Sequence, residues 1–423
     1  MVLACASTVC LWCAVCVRCC TQSPIHAAWS LYSRPPEPTV ARTYSMPILT
    51  EAKEVKMSPS YQRLHLALSV LVLVLAVVAV IPVQAASGVY TQHNLVADVP
   101  NVADHTDTDL VNAWGIAFNP TAFVWIADNG SGKSTLYDGA GNKQSLVVTI
   151  PGGSPTGIVF NGSADFKAPN TVDATKNPSR FIFATENGVI AAWAPPPNPP
   201  VPMAAVTMVS NASAVYKGLA LAANGQARFL YATNFSQGTV DVFDTSFTHV
   251  TLAGSFSDPR LPSGFAPFGI QNIQGALYVT YAKQDAAKHD DVPGPGLGFV
   301  NVFDPDGHLL QRVASRGTLN SPWGLALAPA GFGRFSNRLL VGNFGDGRIN
   351  AFDVATGRFV GQIRGTDGHP LRIDGLWGLS FGNGVLSQPT DALFFTAGPA
   401  DEGHGLYGYL KPAPNHRDDE DGD

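Results

Sequence analysis

The chain has 423 residues, 45% of them apolar and 14% charged, with a net charge of −6 at neutral pH. This much apolar content excludes a disordered chain. The acidic balance argues against a nucleic-acid partner, which needs a basic footprint.

All six cysteines fall at positions 5, 10, 13, 16, 19 and 20. Cys10, Cys13 and Cys16 have knuckle-like spacing, but no Cys or His group follows at zinc-finger distance. Residues 1–56 therefore read as a disordered extension or a misassigned leader. Met57 opens a second pattern. A short basic stretch through Arg63 precedes an apolar run from Leu64 to Val83, which ends in Gln84-Ala85-Ala86-Ser87. Residues 57–86 read as a signal peptide with small residues at the cleavage site. The same run is long enough to span a bilayer, so an uncleaved N-terminal anchor is the alternative, and the only route to a membrane. The expectation is a secreted protein, extracellular or periplasmic, and monomeric. Residues 1–85 carry six Lys/Arg and three Asp/Glu, which leaves 20 basic and 29 acidic residues and a net charge of −9 in the rest.

From residue 87 to 411 one phrase recurs six times. It reads Trp114-Gly115-Ile116, Thr156-Gly157-Ile158, Lys217-Gly218-Leu219, Phe268-Gly269-Ile270, Trp323-Gly324-Leu325 and Trp377-Gly378-Leu379. Each copy is followed by further short runs rich in β-branched and aromatic residues, bounded by Gly, Asn, Asp and Pro, as in Phe229 to Asn234 and Val240 to Asp244. Units of four strands repeated at intervals of tens of residues predict an all-β six-bladed β-propeller. The glycine marks an inner strand where backbones approach closely, and the Trp or Phe before it is expected to fill space between blades. The sixth unit lacks its fourth strand, and a spare strand lies at Val89 to Val96 or Asp98. That N-terminal strand is expected to complete the last blade and seal the ring. Residues 412–423 read as a disordered acidic tail.

In such a ring, the loops entering the inner strands and those joining second to third strands share one face, around the channel mouth. The candidate ligand-binding residues there are Asn112, Asp128, Glu186, Asn187, Lys217, Asn234, Tyr281, Asn343, Asp374 and His404. Oxygen donors of this kind suit Ca²⁺ or another divalent cation. Asn-Gly and Asp-Gly pairs are also ordinary turn chemistry. Two long insertions, Lys283 to Gly296 and Gly398 to Gly405, each bring a His and carboxylates to this face. Asn129-Gly130-Ser131-Gly132-Lys133-Ser134 lacks the spacing of a phosphate loop and reads as a hairpin. The excursions Ala164 to Arg180 and Pro195 to Pro202 are assigned to the opposite face or the rim.

The phrases Pro322 to Leu327 and Leu340 to Asp353 resemble the NHL-type repeat. The whole stretch from Asn94 to Tyr409 resembles an uncharacterised family of secreted NHL-like six-bladed propellers. The most specific match lies in Asn94-Leu95-Val96-Ala97-Asp98 and Leu110 to Gly115. That resemblance implies fold and export and no activity. A more distant similarity is to gluconolactonase and regucalcin-type propellers, metal-dependent lactonases that use a Glu, two Asn and an Asp. By residue type it would give Glu186, Asn234, Asn343 and Asp374 as the metal set. Two functions follow. One is a scaffold that binds a protein, glycan or small molecule at the mouth; the other is a metal-dependent hydrolase or lactonase. Whether the chain is an enzyme stays open at this point.

Overall fold

The computed structural model describes residues 88–414, so residues 1–56, the stretch 57–86 read as a signal peptide and residues 415–423 of the expected acidic tail lie outside the described residues. Six sheets surround a central channel, and each inner strand packs on the next until Leu376–Phe381 meets Ala113–Phe118. The inner strands are Ala113–Phe118, Pro155–Phe160, Tyr216–Asn224, Phe265–Ile273, Pro322–Leu327 and Leu376–Phe381. Second strands such as Val124–Asp128, Phe181–Thr185 and Leu339–Asn343 are buried along their whole length. This accounts for their unbroken apolar runs, because each sits with a blade on either side. The outer strand Val206–Ser210 is partly exposed. Among the described residues the only helix is a single 3₁₀ turn at Gly333–Phe335.

The ring closes as the strand count requires. Tyr90–Ala97 pairs antiparallel with Leu406–Pro412, from Tyr90 opposite Pro412 to Ala97 opposite Leu406, and becomes the fourth strand of blade six. The last blade's strand thus runs one residue past the expected boundary at 411. Within the excursion Ala164 to Arg180, Lys167–Pro169 and Lys176–Pro178 form a small hairpin of their own.

The repeat glycines sit where blades nearly touch. A Cβ on Gly269 would lie 2.2 Å from the Trp323 carbonyl oxygen, and one on Gly378 would lie 2.7 Å from that of Trp114. Backbone cannot yield at such a contact. Gly269→Ala is therefore expected to destabilise the ring by at least the ~1–3 kcal/mol of an overpacked core, read as a lowered midpoint in urea unfolding. An unchanged midpoint would contradict the close approach. Hydroxyls reinforce the same seam: Thr156 Oγ1 donates to the Tyr216 carbonyl at 2.7 Å and Thr233 Oγ1 to that of Phe268 at 2.6 Å.

The aromatic residues before the glycines do not fill separate gaps between blades. Trp114, Phe268 and Trp377 form one buried cluster with Phe235, and Trp323 and Phe344 pack against it. They plug one end of the channel. Below the plug the space among the ring glycines is about 30 Å³, room on the order of one water.

Candidate functional site

Every ladder between an inner and a second strand is irregular at the repeat glycine, for example between Ala113 and Ile116, Tyr216 and Gly218, and Leu376 and Leu379. Such bulges re-aim side chains. Here they accompany two positions that supply mouth residues in several blades: the one before the glycine and the one just after the second strand. In blades three and five the latter are Phe235 and Phe344, members of the aromatic cluster. In blades one and two they are Asn129 and Glu186, and blade three places Lys217 before its glycine.

The mouth thus has an aromatic floor and a polar side. Trp114 stacks on Trp377 with centroids 3.6 Å apart, and Phe344 stacks on the same Trp377 at 3.9 Å. Trp323 meets both indoles edge-on. Across this floor runs a chain of side-chain contacts. Asn112 Nδ2 donates to Glu402 Oε2 at 2.6 Å and to Asn129 Oδ1 at 3.2 Å. Asn129 Nδ2 donates to Glu186 Oε2 at 2.9 Å. Lys217 Nζ bonds Glu186 Oε1 and, at 3.0 Å, Asp290 Oδ1. His289 Nδ1 lies 3.0 Å from that same Asp290 oxygen. Lys217 Nζ also sits 5.1 Å from the Trp114 ring centroid, while its carbonyl accepts from Trp323 Nε1 at 2.9 Å.

Lys217 is 1% exposed. Burial works against its charge, but Glu186 and Asp290 outweigh that cost and hold its pKa above the ordinary lysine range. Burial likewise works against the charge of Asp290, yet Lys217 and then His289 pull its pKa below the usual carboxylate value. Glu402 goes the other way: burial raises its pKa, Asn112 opposes this, and the charge of Glu186 adds to it. The backbone that presents Glu402 is left-handed at three successive residues, with φ of 57° at Ala400, 51° at Asp401 and 64° at Glu402. Each such non-glycine residue costs about 1–2 kcal/mol. Three in a row mark a turn held open by its surroundings, here by the Ala400 amide bonded to Asp374 and by Asp98, which takes both the Gly405 amide and the His404 ring.

Of the residues chosen from sequence, the structure brings Asn112, Glu186 and Lys217 together. Asp128 is fully buried one residue before Asn129, on the opposite side of its strand. Asn187 donates to the Gly152 carbonyl in an exposed turn. Asn234 holds Asp241, and Asn343 donates to the Thr318 carbonyl and to Asp346. Tyr281 is buried among apolar residues of blades three and four. Asp374 and His404 brace the blade-six loop rather than touching the polar chain. The four residues taken as a metal set, Glu186, Asn234, Asn343 and Asp374, therefore do not converge. What approaches Glu186 instead is His289 and Asp290, with ligand atoms all within 4.8 Å of one another. Two carboxylates and an imidazole suit a divalent cation in kind, but the Lys217 ammonium already bonds one oxygen of each carboxylate. Asn129 and Glu402 lie outside the ten candidate residues, although the sequence places Asn129 at the end of a second strand on this face and Glu402 in the blade-six insertion.

At the far end of the channel a cavity of about 260 Å³ lies among Ile116, Phe118, Ile158, Phe160 and Leu221, with Gln271, Asn272 and Ser380 as its polar lining and no carboxylate.

No family model matches the chain. Uncharacterized protein R648 of Acanthamoeba polyphaga mimivirus is 36% identical over 329 residues, covering 75% of this chain and 78% of that one. Uncharacterized protein L690 of the same virus is 35% identical over 323 residues, covering 73% and 82%. The chain belongs to the family of these two mimivirus proteins. Among solved structures, virginiamycin B lyase from Staphylococcus aureus is similar at 14% identity and a TM-score of 0.45, covering 76% of this chain and 98% of the lyase. A protein of unknown function from Bacteroides thetaiotaomicron is similar at 14% identity and a TM-score of 0.48, covering 76% of each.

Proposed function

We propose that the chain is an exported, monomeric binding propeller that holds a protein, glycan or small molecule at its plugged channel mouth. One observation carries this reading. Side chains from separate blades and from both long insertions meet in one continuous polar chain, from Glu402 through Asn112, Asn129, Glu186 and Lys217 to Asp290, over an aromatic floor. An aromatic base with a few convergent polar groups is the kind of lining that ligand sites use. Export rests on the character of residues 57–86, and kinship to NHL-type repeats rests on the phrase Leu340 to Asp353. A thermal-shift screen of glycans and small molecules against the full chain tests the reading. Hits are expected to be lost in Glu402→Gln and Trp323→Ala and kept in Arg228→Ala, which pairs with Asp165 away from the polar chain. Hits indifferent to the first two variants would sink it.

A second reading, a divalent-cation-dependent hydrolase, draws support from the proximity of Glu186, His289 and Asp290. It predicts a rise in Tm with Ca²⁺ that a chelator reverses and Glu186→Gln abolishes. No response to either reagent would remove it.

A further inference from the structure

We propose that the mouth is built for a ligand carrying a carboxylate on a ring-sized body, that Lys217 is its anchor, and that Asp290 is a built-in stand-in for the ligand's carboxylate. The proposal rests on the mouth being the binding site and names what it takes.

The argument starts from position. The six residues that precede the repeat glycines are Trp114, Thr156, Lys217, Phe268, Trp323 and Trp377, and Lys217 is the one with a charge. A buried ammonium in an aromatic floor is costly unless it is paired. Its two carboxylate partners differ in kind. Glu186 springs from the ring itself, its side chain is 13% exposed, and its other oxygen accepts from Asn129. It is the structural counter-ion. Asp290 sits on the long insertion of blade four, and its side chain is 64% exposed. One ring-borne carboxylate already balances the ammonium, so the second occupies a position that a ligand carboxylate could take.

The insertion is constructed to carry that carboxylate independently of the ring. Its tip folds on itself: the Asp285 amide donates to the Asp290 carbonyl at 2.8 Å, and the Lys288 amide to that of Asp285 at 3.2 Å. The His289 amide donates to Asp285 Oδ1 at 2.9 Å. Residues 286–290 are exposed. The stem is tied separately, through the Gln284 amide to the Gly264 carbonyl and the Val292 amide to that of Lys283, both at 2.8 Å. In the proposed bound form the tip lifts from Lys217 and keeps these bonds. That would uncover the ammonium beside the aromatic cluster, whose Trp323 and Phe344 are half-buried. An incoming carboxylate would replace one charge-assisted hydrogen bond with another, and a ring on the same molecule would add contact with the indole and phenyl faces. A carboxylate on a short flexible tether acts as a local concentration on the order of millimolar, so the wild-type chain should bind such ligands weakly and a chain without the Asp290 charge should bind them better.

The test is a tryptophan-fluorescence titration of the full chain, because Trp114, Trp323 and Trp377 form the floor. The probes are benzoate and galacturonate, with benzamide and galactose as neutral controls. Asp290→Asn is expected to bind at least one of the acids ~10-fold or more tightly than wild type, to ignore the neutral controls, and to lose the gain when Lys217→Met is added. A preference for benzoate would indicate an aromatic acid, and one for galacturonate a sugar acid. The proposal is overturned if Asp290→Asn gains nothing, if the neutral controls bind as well as the acids, or if binding persists in the folded double variant. Should circular dichroism show the double variant unfolded, acid against neutral control in Asp290→Asn decides alone. A Tm rise of the wild type with Ca²⁺, lost in Asp290→Asn, would also overturn it by giving that carboxylate to a cation. If no acid binds but the screen yields hits that Glu402→Gln abolishes, the carboxylate assignment fails and the mouth as binding site stands.

Discussion

Replacing Lys217 with methionine will lower the unfolding free energy by about 3–5 kcal/mol, the cost of leaving a buried ion pair half-made. In a ring of this size that is a fall in Tm of about 4–7 °C. The loss comes chiefly from Glu186. With the ammonium gone, its side chain, 13% exposed, keeps only the Asn129 donor. Asp290 returns to solvent at little cost, since its side chain is already 64% exposed. The double variant Lys217→Met/Glu186→Gln should therefore recover most of the loss, because two neutral side chains of similar shape replace a buried pair with little penalty. Urea unfolding of wild type, both single variants and the double variant gives the cycle. A coupling below about 0.5 kcal/mol, the limit of additivity for independent sites, would mean that the ammonium is not the centre of the mouth.

The propeller was legible because its signals are local and repeated. A glycine that abuts the next inner strand must recur wherever blades meet, and the missing fourth strand of blade six could be supplied only by a spare strand such as Tyr90–Ala97. The mouth was harder to read, and the reason is register. Asp128 and Asn129 are neighbours in sequence, and strand geometry sends neighbours to opposite sides. Asn129 joins the polar chain, whereas Asp128 turns away from it. The same alternation separates Asn234 from Phe235 and Asn343 from Phe344. The irregular ladder at each glycine leaves no phase that can be counted outward from the strand. Residue type misled as well. Asn234, Asn343 and Asp374 look like oxygen ligands but are spent on turn and loop contacts. The blade-six insertion was visible as a loop, but its left-handed run at Ala400 to Glu402, which presents Glu402 to Asn112, follows from no local preference of those residues.

The carboxyl that turned away from the mouth supplies the other large effect. Asp128 is completely buried, and neither of its oxygens makes a hydrogen bond of full geometry among the described residues; Thr135, whose own hydroxyl is likewise without one, offers only a loose contact. Burial drives its pKa well above the usual carboxylate range; Thr135 moderates this, and the charges of Asp107 and Asp109 add to it. Those two aspartates have partners of their own. Lys143 bonds both, Lys133 bonds Asp109, and the Tyr137 hydroxyl donates to Asp107 at 2.6 Å. Asp128 therefore keeps a proton in the folded chain that it releases in the unfolded one, where a carboxyl titrates near 3.9. A folded-state pKa raised in this way makes its contribution most favourable below the unfolded value, and stability declines as pH climbs from there toward the folded value. Asp128→Asn, which has no such proton, should behave like wild type near pH 4 and become progressively more stable than wild type above it. The gap should widen by about 1.4 kcal/mol per pH unit for as long as Asp128 stays protonated in the fold. Urea unfolding of both chains at pH 5, 6 and 7 measures that gap, and the other titrating groups cancel in the difference. A gap that stays constant with pH, or a variant less stable at every pH, would mean that Asp128 is ionised in the folded chain and is paid for by a partner that the buried seam between strands Val124–Asp128 and Lys133–Tyr137 does not display.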